Sequence, residues 1–398
     1  MRPPLPFISR RQALVGASAA LALGPALASA QSVAGGGSGP STEASRIAAD
    51  LHAAKAAPAL SLAVARPGEL IWAEAHGKAD LELDVPATTE HTFRLGSVSK
   101  LLTATAAAKL VSRGVLDLDA PISKWLPDLP EQHRATTMRQ LLTHRGGIRH
   151  YIQKDFDLFG PGGAVYMRVF PTNADVLALF IDDPLIAPPG DQVHYSSYGY
   201  TLASMVMEAA AGQEFRELIE KEVGQAFGLP SLADDDPWAI RPQRASGYMN
   251  LPDLAMLYGA LPEAARPRLI EGYANMPLSN PAYSWAGAGF LMTPSDTARF
   301  GAAMLDSPNA RITAAERSLL FTPLTEATRS SPPLGLGWRL DNDAEGRRRW
   351  HHAGSTPGGR YVLVVYPEQS LSIAIAGNVM AMLLDVMKAA SDLADAFA

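Results

Sequence analysis

Apolar residues run together in two pairs of short segments, one pair towards each end of the chain. Residues 59–65 and 70–75 flank a turn that contains Pro-Gly, and residues 361–366 and 371–376 flank a turn that begins with proline. Proline presets the backbone for the second position of a tight turn, and glycine accepts the positive φ that often follows. Both pairs are therefore predicted to form β-hairpins.

Helices are predicted over most of the chain between these hairpins, and one further helix is predicted on the outer side of each hairpin. Residues 100–111 are rich in Ala, Leu and Lys, and Gly114 is well placed to end that helix. Thr293 followed by Pro294 is typical of a helix start, with threonine as the cap and proline in the first turn. Further helices are predicted over residues 45–55, 203–210, 215–227 and 382–396.

Strands at both ends of the chain need partners, because an isolated hairpin is at best marginally stable. The nearest available partners are the strands of the other hairpin. The predicted fold is therefore α+β, with one antiparallel sheet formed by both chain ends, flanking helices and an inserted, mainly helical lobe. The sheet lobe is expected over about residues 45–95 and 284–398, and the helical lobe over about 96–283.

The first 30 residues have the pattern of an export signal. Arg10 and Arg11 precede an apolar run that ends at Ala28-Ser29-Ala30, a small-residue cleavage pattern. About 15 apolar residues are too few to span the bilayer, so the segment is predicted to be a cleavable signal of the twin-arginine type. A flexible linker is expected over residues 31–44. The protein is then periplasmic or secreted, with no membrane span after signal removal.

Composition removes several classes of function. The chain has 398 residues, no cysteine and a net charge of −6. Without cysteine there is no disulfide, no thiol nucleophile and no cysteine-ligated zinc. Acidic and basic residues are interspersed and no basic run occurs, so nucleic acid is not expected as a partner.

The first candidate for chemistry is Ser97, which follows Gly96 and precedes the predicted helix. Lys100 lies three residues further on, so a helix starting near Ser97 places both side chains on one face. Serine is a poor nucleophile unless a neighbouring group takes its proton or stabilises the alkoxide. A lysine at the positive end of a helix dipole offers both kinds of help.

Two further segments present residues suited to such a site. A Pro-Gly turn leads to Tyr195 just before a helical segment, although a packing role for this tyrosine is equally compatible with the pattern. His351 and His352 precede Gly354 at a predicted strand. Neighbouring strand residues point to opposite faces, so at most one histidine faces a site, and no carboxylate cluster supports a metal.

These three segments, in this order, resemble the active-site-serine penicillin-recognising enzymes. The closest group comprises class C β-lactamases, D,D-carboxypeptidases and related esterases, whose motifs are Ser-x-x-Lys, Tyr-x-Asn and Lys- or His-x-Gly. The likeness covers about residues 45–398 and includes the surroundings of the motifs, at residues 141–148, 287–296 and 335–338. It implies a β-lactamase/transpeptidase-like fold.

The resemblance also implies roles for individual residues. Ser97 matches the acylated nucleophile, Lys100 its activator, and Tyr195 the tyrosine that exchanges protons with nucleophile and leaving group. His352 matches the Lys or His of the third motif, beside Gly354. The backbone N–H groups of Ser97 and Ser355 match the oxyanion hole. No cofactor or metal is implied.

Two positions depart from the family pattern. Ser197 stands where the second motif usually has asparagine, and its shorter hydroxyl is expected to offer less to the lysine and to an acyl amide. His352 replaces the lysine typical of β-lactamases. Because an ordinary imidazole titrates near pH 6.5, its charge is expected to change within the working pH range, and it should bind a substrate carboxylate less well than a fixed ammonium.

The sequence favours an esterase, or a peptidase acting on D-residues. The expected substrate is a small-molecule ester, amide, peptide or β-lactam. A class C-like β-lactamase remains an alternative. So does a penicillin-binding protein that is acylated without turnover.

Overall fold

A computed structural model describes residues 39–54, 56–157, 163–258, 268–329, 331–382 and 385–398, which belong to one compact unit from Gly39 to Ala398. The predicted signal, residues 1–30, and the linker as far as residue 38 lie outside the described residues. The first helix begins at Pro40, so residues 40–44 are helical and do not belong to the linker that the sequence predicted.

Seven strands form one antiparallel sheet. The strands of the described residues are, in chain order, β1 (Ala59–Arg66), β2 (Glu69–Asp80), β3 (Val85–Pro86), β4 (Phe93–Arg94), β5 (Ala233–Asp234), β6 (Tyr248–Met249), β7 (Ala274–Asn275), β8 (Phe290–Met292), β9 (Arg339–Asn342), β10 (Arg348–Thr356), β11 (Gly359–Tyr366) and β12 (Leu371–Gly377). The large sheet has the order β3-β2-β1-β12-β11-β10-β9.

The two ends of the chain meet at the centre of this sheet. β1 pairs with β12 in antiparallel register, with Ser61 opposite Ala376, and each of these strands also pairs with the other strand of its own hairpin. This confirms the predicted fold class, because both hairpins are present and each supplies the partner that the other needs.

Side-chain alternation divides the core between the two faces of the sheet. Along β11, Tyr361, Leu363 and Val365 belong to the larger core that contains most of the inserted helices. Val362 and Val364 point to the other face and pack with the helices at the two chain ends. Both faces are therefore covered, and His352, which is opposite Leu363, lies on the face of the larger core.

The helices follow the predicted order with some shifts of boundary. They are α1 (Pro40–Ala53), α2 (Ser99–Ser112), α3 (Glu131–Arg134), α4 (Met138–Leu142), α5 (Asn173–Leu177), α6 (Ser197–Ala211), α7 (Phe215–Ile219), α8 (Leu251–Tyr258), α9 (Trp285–Ala288), α10 (Pro294–Ala302), α11 (Ala314–Phe321) and α12 (Val386–Phe397). No helix in the described ranges is both long and apolar enough to cross a membrane.

Capping explains where several helices begin. The Thr293 side chain accepts a hydrogen bond from Asp296 N, as the sequence predicted for α10. α6 begins at Ser197, six residues before the prediction, because the Ser196 side chain accepts from Gly199 N and caps the helix there. α12 begins at Val386 instead of residue 382, and the side chain of Asp385 is its cap.

Candidate active site

Ser97 lies at a junction between the sheet and the first long inserted helix. A short 3₁₀ turn, Gly96–Val98, connects β4 to α2. Gly96 has a φ of +50°, and a Cβ at this position would lie 2.8 Å from Ser355 N. Glycine is therefore needed both for the backbone conformation and for the close approach of β10. As a result, Ser97 stands at a helix N-terminus directly beside that strand.

Lys100 is fully buried and has three oxygen acceptors around its ammonium. Nζ donates to Ser97 Oγ at 3.3 Å, to Ser197 Oγ at 3.0 Å and to Gly287 O at 2.9 Å. Burial disfavours the charged form and lowers the pKa of Lys100 below its ordinary value, although the neighbouring Tyr195 opposes this effect. The lysine is thus held in place and is easier to deprotonate than a lysine in water.

Tyr195 makes the shortest contact with the Ser97 hydroxyl. Its Oη donates to Ser97 Oγ at 2.7 Å, and Lys100 Nζ lies 4.9 Å from the centre of its ring. Burial alone would raise the pKa of the Tyr195 phenol. The nearby Lys100 charge and the hydrogen bonds to the phenol outweigh burial and lower this pKa below its ordinary value. The phenolate is therefore more accessible here than in a free tyrosine.

Ser197 reaches the lysine despite its short side chain. Its Oγ accepts from Lys100 Nζ, so it performs the lysine-orienting part that the sequence analysis expected a hydroxyl to perform less well than asparagine. Gly287 completes this side of the site, because a Cβ there would lie 2.6 Å from Ser284 Oγ and 3.4 Å from Lys100 Nζ. Close packing of α9 and the carbonyl oxygen of Gly287 therefore hold the lysine from a second side.

The two backbone amides that were predicted to form an oxyanion hole lie on adjacent segments. The Ser97 amide is in the first turn of its helix, where N–H groups have no intrahelical acceptor. A Cβ on Gly354 would lie 2.9 Å from Ser97 N, and one on Gly96 would lie 2.8 Å from Ser355 N. The two glycines thus allow the Ser97 and Ser355 backbones to meet.

His352 faces the site, but its charge state differs from the expectation. Its ring centre lies 6.3 Å from that of Tyr195, whereas His351 on the opposite face lies 3.2 Å from Asp341. Burial, reinforced by the Lys100 charge, places the pKa of His352 well below its ordinary value. The expectation that His352 changes charge within the working pH range is therefore wrong, because a desolvated imidazole beside cations stays neutral.

The tautomer of His352 follows from its backbone contact. Nδ1 lies 2.7 Å from Ala353 O, and since a carbonyl oxygen can only accept, Nδ1 carries the proton. Nε2 is then unprotonated and available as an acceptor.

Two histidines that the sequence analysis did not select support the tyrosine segment. His144 Nδ1 accepts from Ser196 N at 3.1 Å, and His150 Nδ1 accepts from Ser197 N at 3.2 Å. Both are neutral, since burial lowers the pKa of His144 well below its ordinary value and that of His150 to about 4. No periodicity marks either histidine in the sequence, because both lie in a loop.

A cavity of about 220 Å³ adjoins Tyr195 and His352. Its wall also includes His144 and Arg339, the latter a residue that the sequence analysis did not select. Across the described ranges, no group of three His, Cys, Asp or Glu side chains is arranged to hold a metal. The polar side chains in the wall of the cavity are thus the Ser331 hydroxyl, the Tyr195 phenol, imidazoles and the Arg339 guanidinium.

A serine hydroxyl contacted by a buried lysine and a tyrosine, at a helix start beside a β-strand, is the arrangement of an active-site-serine hydrolase. The family model described as Beta-lactamase matches residues 44–396 of this chain. The chain therefore belongs to the β-lactamase family and is a serine hydrolase, which confirms the resemblance seen in its motifs.

The names of individual relatives indicate different activities. The chain is 28% identical to the Homo sapiens serine beta-lactamase-like protein LACTB, mitochondrial, over 79% of this chain and 69% of that protein. It is 32% identical to Esterase EstB of Burkholderia gladioli over 42% of this chain and 44% of EstB. The solved D-amino acid amidase of Ochrobactrum anthropi SV3 matches with a TM-score of 0.73 and 22% identity, over 90% of this chain and 98% of that one. At that identity the structural match shows the fold alone.

Proposed function

We propose that this protein is an exported serine hydrolase that cleaves esters, or amides and peptides of D-residues, through an acyl-Ser97 intermediate. The observation that carries the proposal is the pair of contacts on Ser97 Oγ, from Tyr195 Oη at 2.7 Å and from Lys100 Nζ at 3.3 Å. The name of Esterase EstB supports ester substrates, and the D-residue alternative rests on the resemblance of the three motifs to those of D,D-carboxypeptidases.

In the proposed acylation step, Tyr195 reacts as the phenolate beside the Lys100 ammonium. Ser97 Oγ attacks the carbonyl carbon while its proton passes to the Tyr195 oxygen. Tyr195 is the proposed proton acceptor because its oxygen is closest and because Lys100 favours the phenolate. The carbonyl oxygen becomes negative, and the N–H groups of Ser97 and Ser355 stabilise it. The bond to the leaving group then breaks, and Tyr195 returns the proton to the departing oxygen or nitrogen.

Deacylation repeats the proton transfers with water as the nucleophile. A water molecule gives a proton to Tyr195 and attacks the acyl carbon, and the bond to Ser97 Oγ breaks as the serine regains that proton. The product is a carboxylic acid. In this scheme Ser197 keeps Lys100 beside the tyrosine, and His352 offers Nε2 as an uncharged acceptor towards the leaving group.

Turnover on three substrates compared side by side tests the proposal. We expect wild-type protein to hydrolyse a short-chain nitrophenyl ester or a D-alanyl peptide with a higher kcat/KM than a chromogenic cephalosporin, and Ser97→Ala to hydrolyse none. A higher kcat/KM on the cephalosporin would indicate a β-lactamase instead. Stoichiometric acylation without turnover on all three would indicate a penicillin-binding protein.

Covalent labelling tests the nucleophile independently of substrate choice. We expect a fluorophosphonate probe to modify Ser97 alone, because its hydroxyl is the one that both Lys100 and Tyr195 contact. Peptide mapping locates the adduct, and Ser99→Ala is the control at a neighbouring buried serine. An adduct at another residue, or labelling that persists in Ser97→Ala, contradicts the assignment.

Export is the other part of the proposal, and Arg10, Arg11 and Ala28-Ser29-Ala30 support it. Expression of the whole chain followed by cell fractionation tests it. We expect the protein in the periplasm to lack the first 30 residues, and replacement of both arginines by lysine to retain it in the cytoplasm. Uncleaved cytoplasmic protein in both cases contradicts export by this route.

A further inference from the structure

Tyr151 approaches the site from the loop that follows α4. Its hydroxyl donates to Ser284 Oγ at 2.7 Å, and Ser284 is a buried residue directly before α9. Its ring packs edge-on against Tyr198, with 4.8 Å between the ring centres. The ring and the hydroxyl of Tyr151 are therefore both held in place, although the proposed reaction uses neither.

Ser284 lies beside the groups that hold Lys100. A Cβ on Gly287 would lie 2.6 Å from Ser284 Oγ and 3.4 Å from both Lys100 Nζ and Ser197 Cβ, so these three side chains surround one point. Burial holds the pKa of Tyr151 well above its ordinary value, although hydrogen bonds from Ser284 and Ser197 to the phenolate oppose this effect. The Tyr151 phenol is therefore neutral, and Ser197 lies within hydrogen-bonding reach of it.

The hydrogen bonds around Lys100 leave one proton to be placed. The Lys100 ammonium donates to three oxygens, one of which is Ser197 Oγ. A hydroxyl that accepts a hydrogen bond still has its own proton to donate. The Tyr151 oxygen is able to accept from Ser197, because its own proton is directed at Ser284.

The direction of the Ser197 proton matters because serine stands where the family motif usually has asparagine. An asparagine carbonyl oxygen can only accept, so it always favours a lysine that donates. A serine hydroxyl can also donate to a neutral amine, and it would then favour the uncharged lysine. The proposed function requires the ammonium, because the Lys100 charge lowers the pKa of Tyr195 against the effect of burial.

We propose that Tyr151 is a positioning residue, which accepts a hydrogen bond from the Ser197 hydroxyl and so keeps a lone pair of Ser197 directed at Lys100. This inference rests on the proposed function. The hydrogen bonds then run in one direction, from Lys100 to Ser197, from Ser197 to Tyr151 and from Tyr151 to Ser284. Tyr151 thereby gives the serine the directional preference that an amide oxygen has by itself.

The rate at which a fluorophosphonate labels Ser97 measures the activation of the nucleophile independently of substrate choice. We expect Tyr151→Phe to slow this labelling by about 3- to 10-fold, the usual range for one lost hydrogen bond. Tyr198→Phe is the matched control, because Tyr198 packs against the same ring and its hydroxyl has no hydrogen-bond partner within the described ranges. Its labelling rate should equal that of wild type.

Two variants of Ser197 separate positioning from a purely structural role. Ser197→Ala lacks the hydroxyl that Tyr151 orients, so adding Tyr151→Phe should cause no further loss. Ser197→Asn supplies an oxygen that accepts without help, so adding Tyr151→Phe should slow labelling by less than about twofold. A purely structural role predicts the same loss in all three backgrounds.

Ser284→Ala provides a second way to disturb Tyr151. It removes the acceptor that directs the Tyr151 proton, and it is used in the same comparison if Tyr151→Phe fails to fold. We expect it to slow labelling of the otherwise wild-type protein and to cause no further loss in Ser197→Ala.

The outcomes separate this inference from the proposed function. If the probe labels Ser97 in wild type, and the loss in Tyr151→Phe is absent or is equal in all three backgrounds, the role of Tyr151 is wrong while the proposed function stands. If the probe does not label Ser97 in wild type, the proposed function is wrong and the role of Tyr151 falls with it.

Discussion

Removal of the Tyr195 hydroxyl gives the sharpest test of the proposed proton transfer. Tyr195→Phe deletes one oxygen, which donates to Ser97 Oγ at 2.7 Å, and keeps the ring, which lies 4.3 Å from the ring centre of His144. A single hydrogen bond contributes about 1 kcal/mol to folding. We therefore expect the fold to persist and the melting temperature to fall by no more than about 3 °C.

Activity should respond far more strongly than stability. Loss of a positioned acid–base group typically costs a factor of about 10² or more, which corresponds to about 2.7 kcal/mol of transition-state stabilisation. We expect kcat/KM of Tyr195→Phe on the preferred substrate to fall by at least that factor. Lys100 remains 3.3 Å from Ser97 Oγ, so residual activity would report what the lysine achieves alone.

Tyr198→Phe is the matched control for this variant. Tyr198 is fully buried in the first turn of α6, three residues along the chain, and its hydroxyl has no hydrogen-bond partner within the described ranges. Removal of an unpaired buried hydroxyl should be neutral or stabilising, with unchanged kinetics. If Tyr195→Phe retained kcat/KM within about threefold of wild type, Tyr195 would be a packing residue and the proposed proton route would be wrong.

Three further predictions concern the surroundings of the site. Gly287→Ala should lower the free energy of unfolding by about 1–3 kcal/mol, because its Cβ would lie 2.6 Å from Ser284 Oγ. The melting temperature and kcat/KM should both fall as a result. Equal values for variant and wild type would contradict the tight packing. The pKa of His150 is about 4 in the folded protein and about 6.5 in the unfolded chain. The contribution of His150 to the free energy of unfolding is therefore fully present above pH 6.5, and it decreases by up to about 3 kcal/mol as the pH falls towards 4. Denaturant unfolding should show a shallower pH dependence in His150→Asn, which keeps an acceptor for Ser197 N without titrating; identical slopes would refute this. Because His352 stays neutral, its titration should not change the preference between a neutral ester and a carboxylate substrate between pH 6 and pH 8. The pH profile of that preference should therefore have the same shape in His352→Gln as in wild type.

Local sequence chemistry determined much of the fold. The turns between the hairpin strands, the helix-forming run of α2 and the Thr293 cap all act within a few residues, so their consequences could be predicted without a structure. The pairing of β1 with β12 was also predictable, because terminal strands need partners and each hairpin is the other's nearest one. The start of α6 was missed, since the cap at Ser196 is a common residue in an unremarkable loop.

The sequence also selected the residues that meet at the site. Ser97, Lys100, Tyr195 and Ser197 were identified through ordered motifs. In the structure, Tyr195 contacts Ser97, Ser97 contacts Lys100, and Lys100 contacts Ser197, each through a hydrogen bond. Their catalytic roles remain predictions that the variants above test. Ser97 and Lys100 were selected because Gly96 precedes them and a predicted helix follows, whereas the role of Tyr195 depended on resemblance to a family.

Only the tertiary structure decided the charges at the site. The neutrality of His352 and the lowered pKa of Lys100 follow from burial and from neighbours contributed by distant segments. Arg339 lines the cavity from the edge strand β9, and His144 supports the tyrosine segment from a separate loop. A side chain's protonation state and its availability to a ligand depend on which groups exclude water around it, and that is a property of the folded chain.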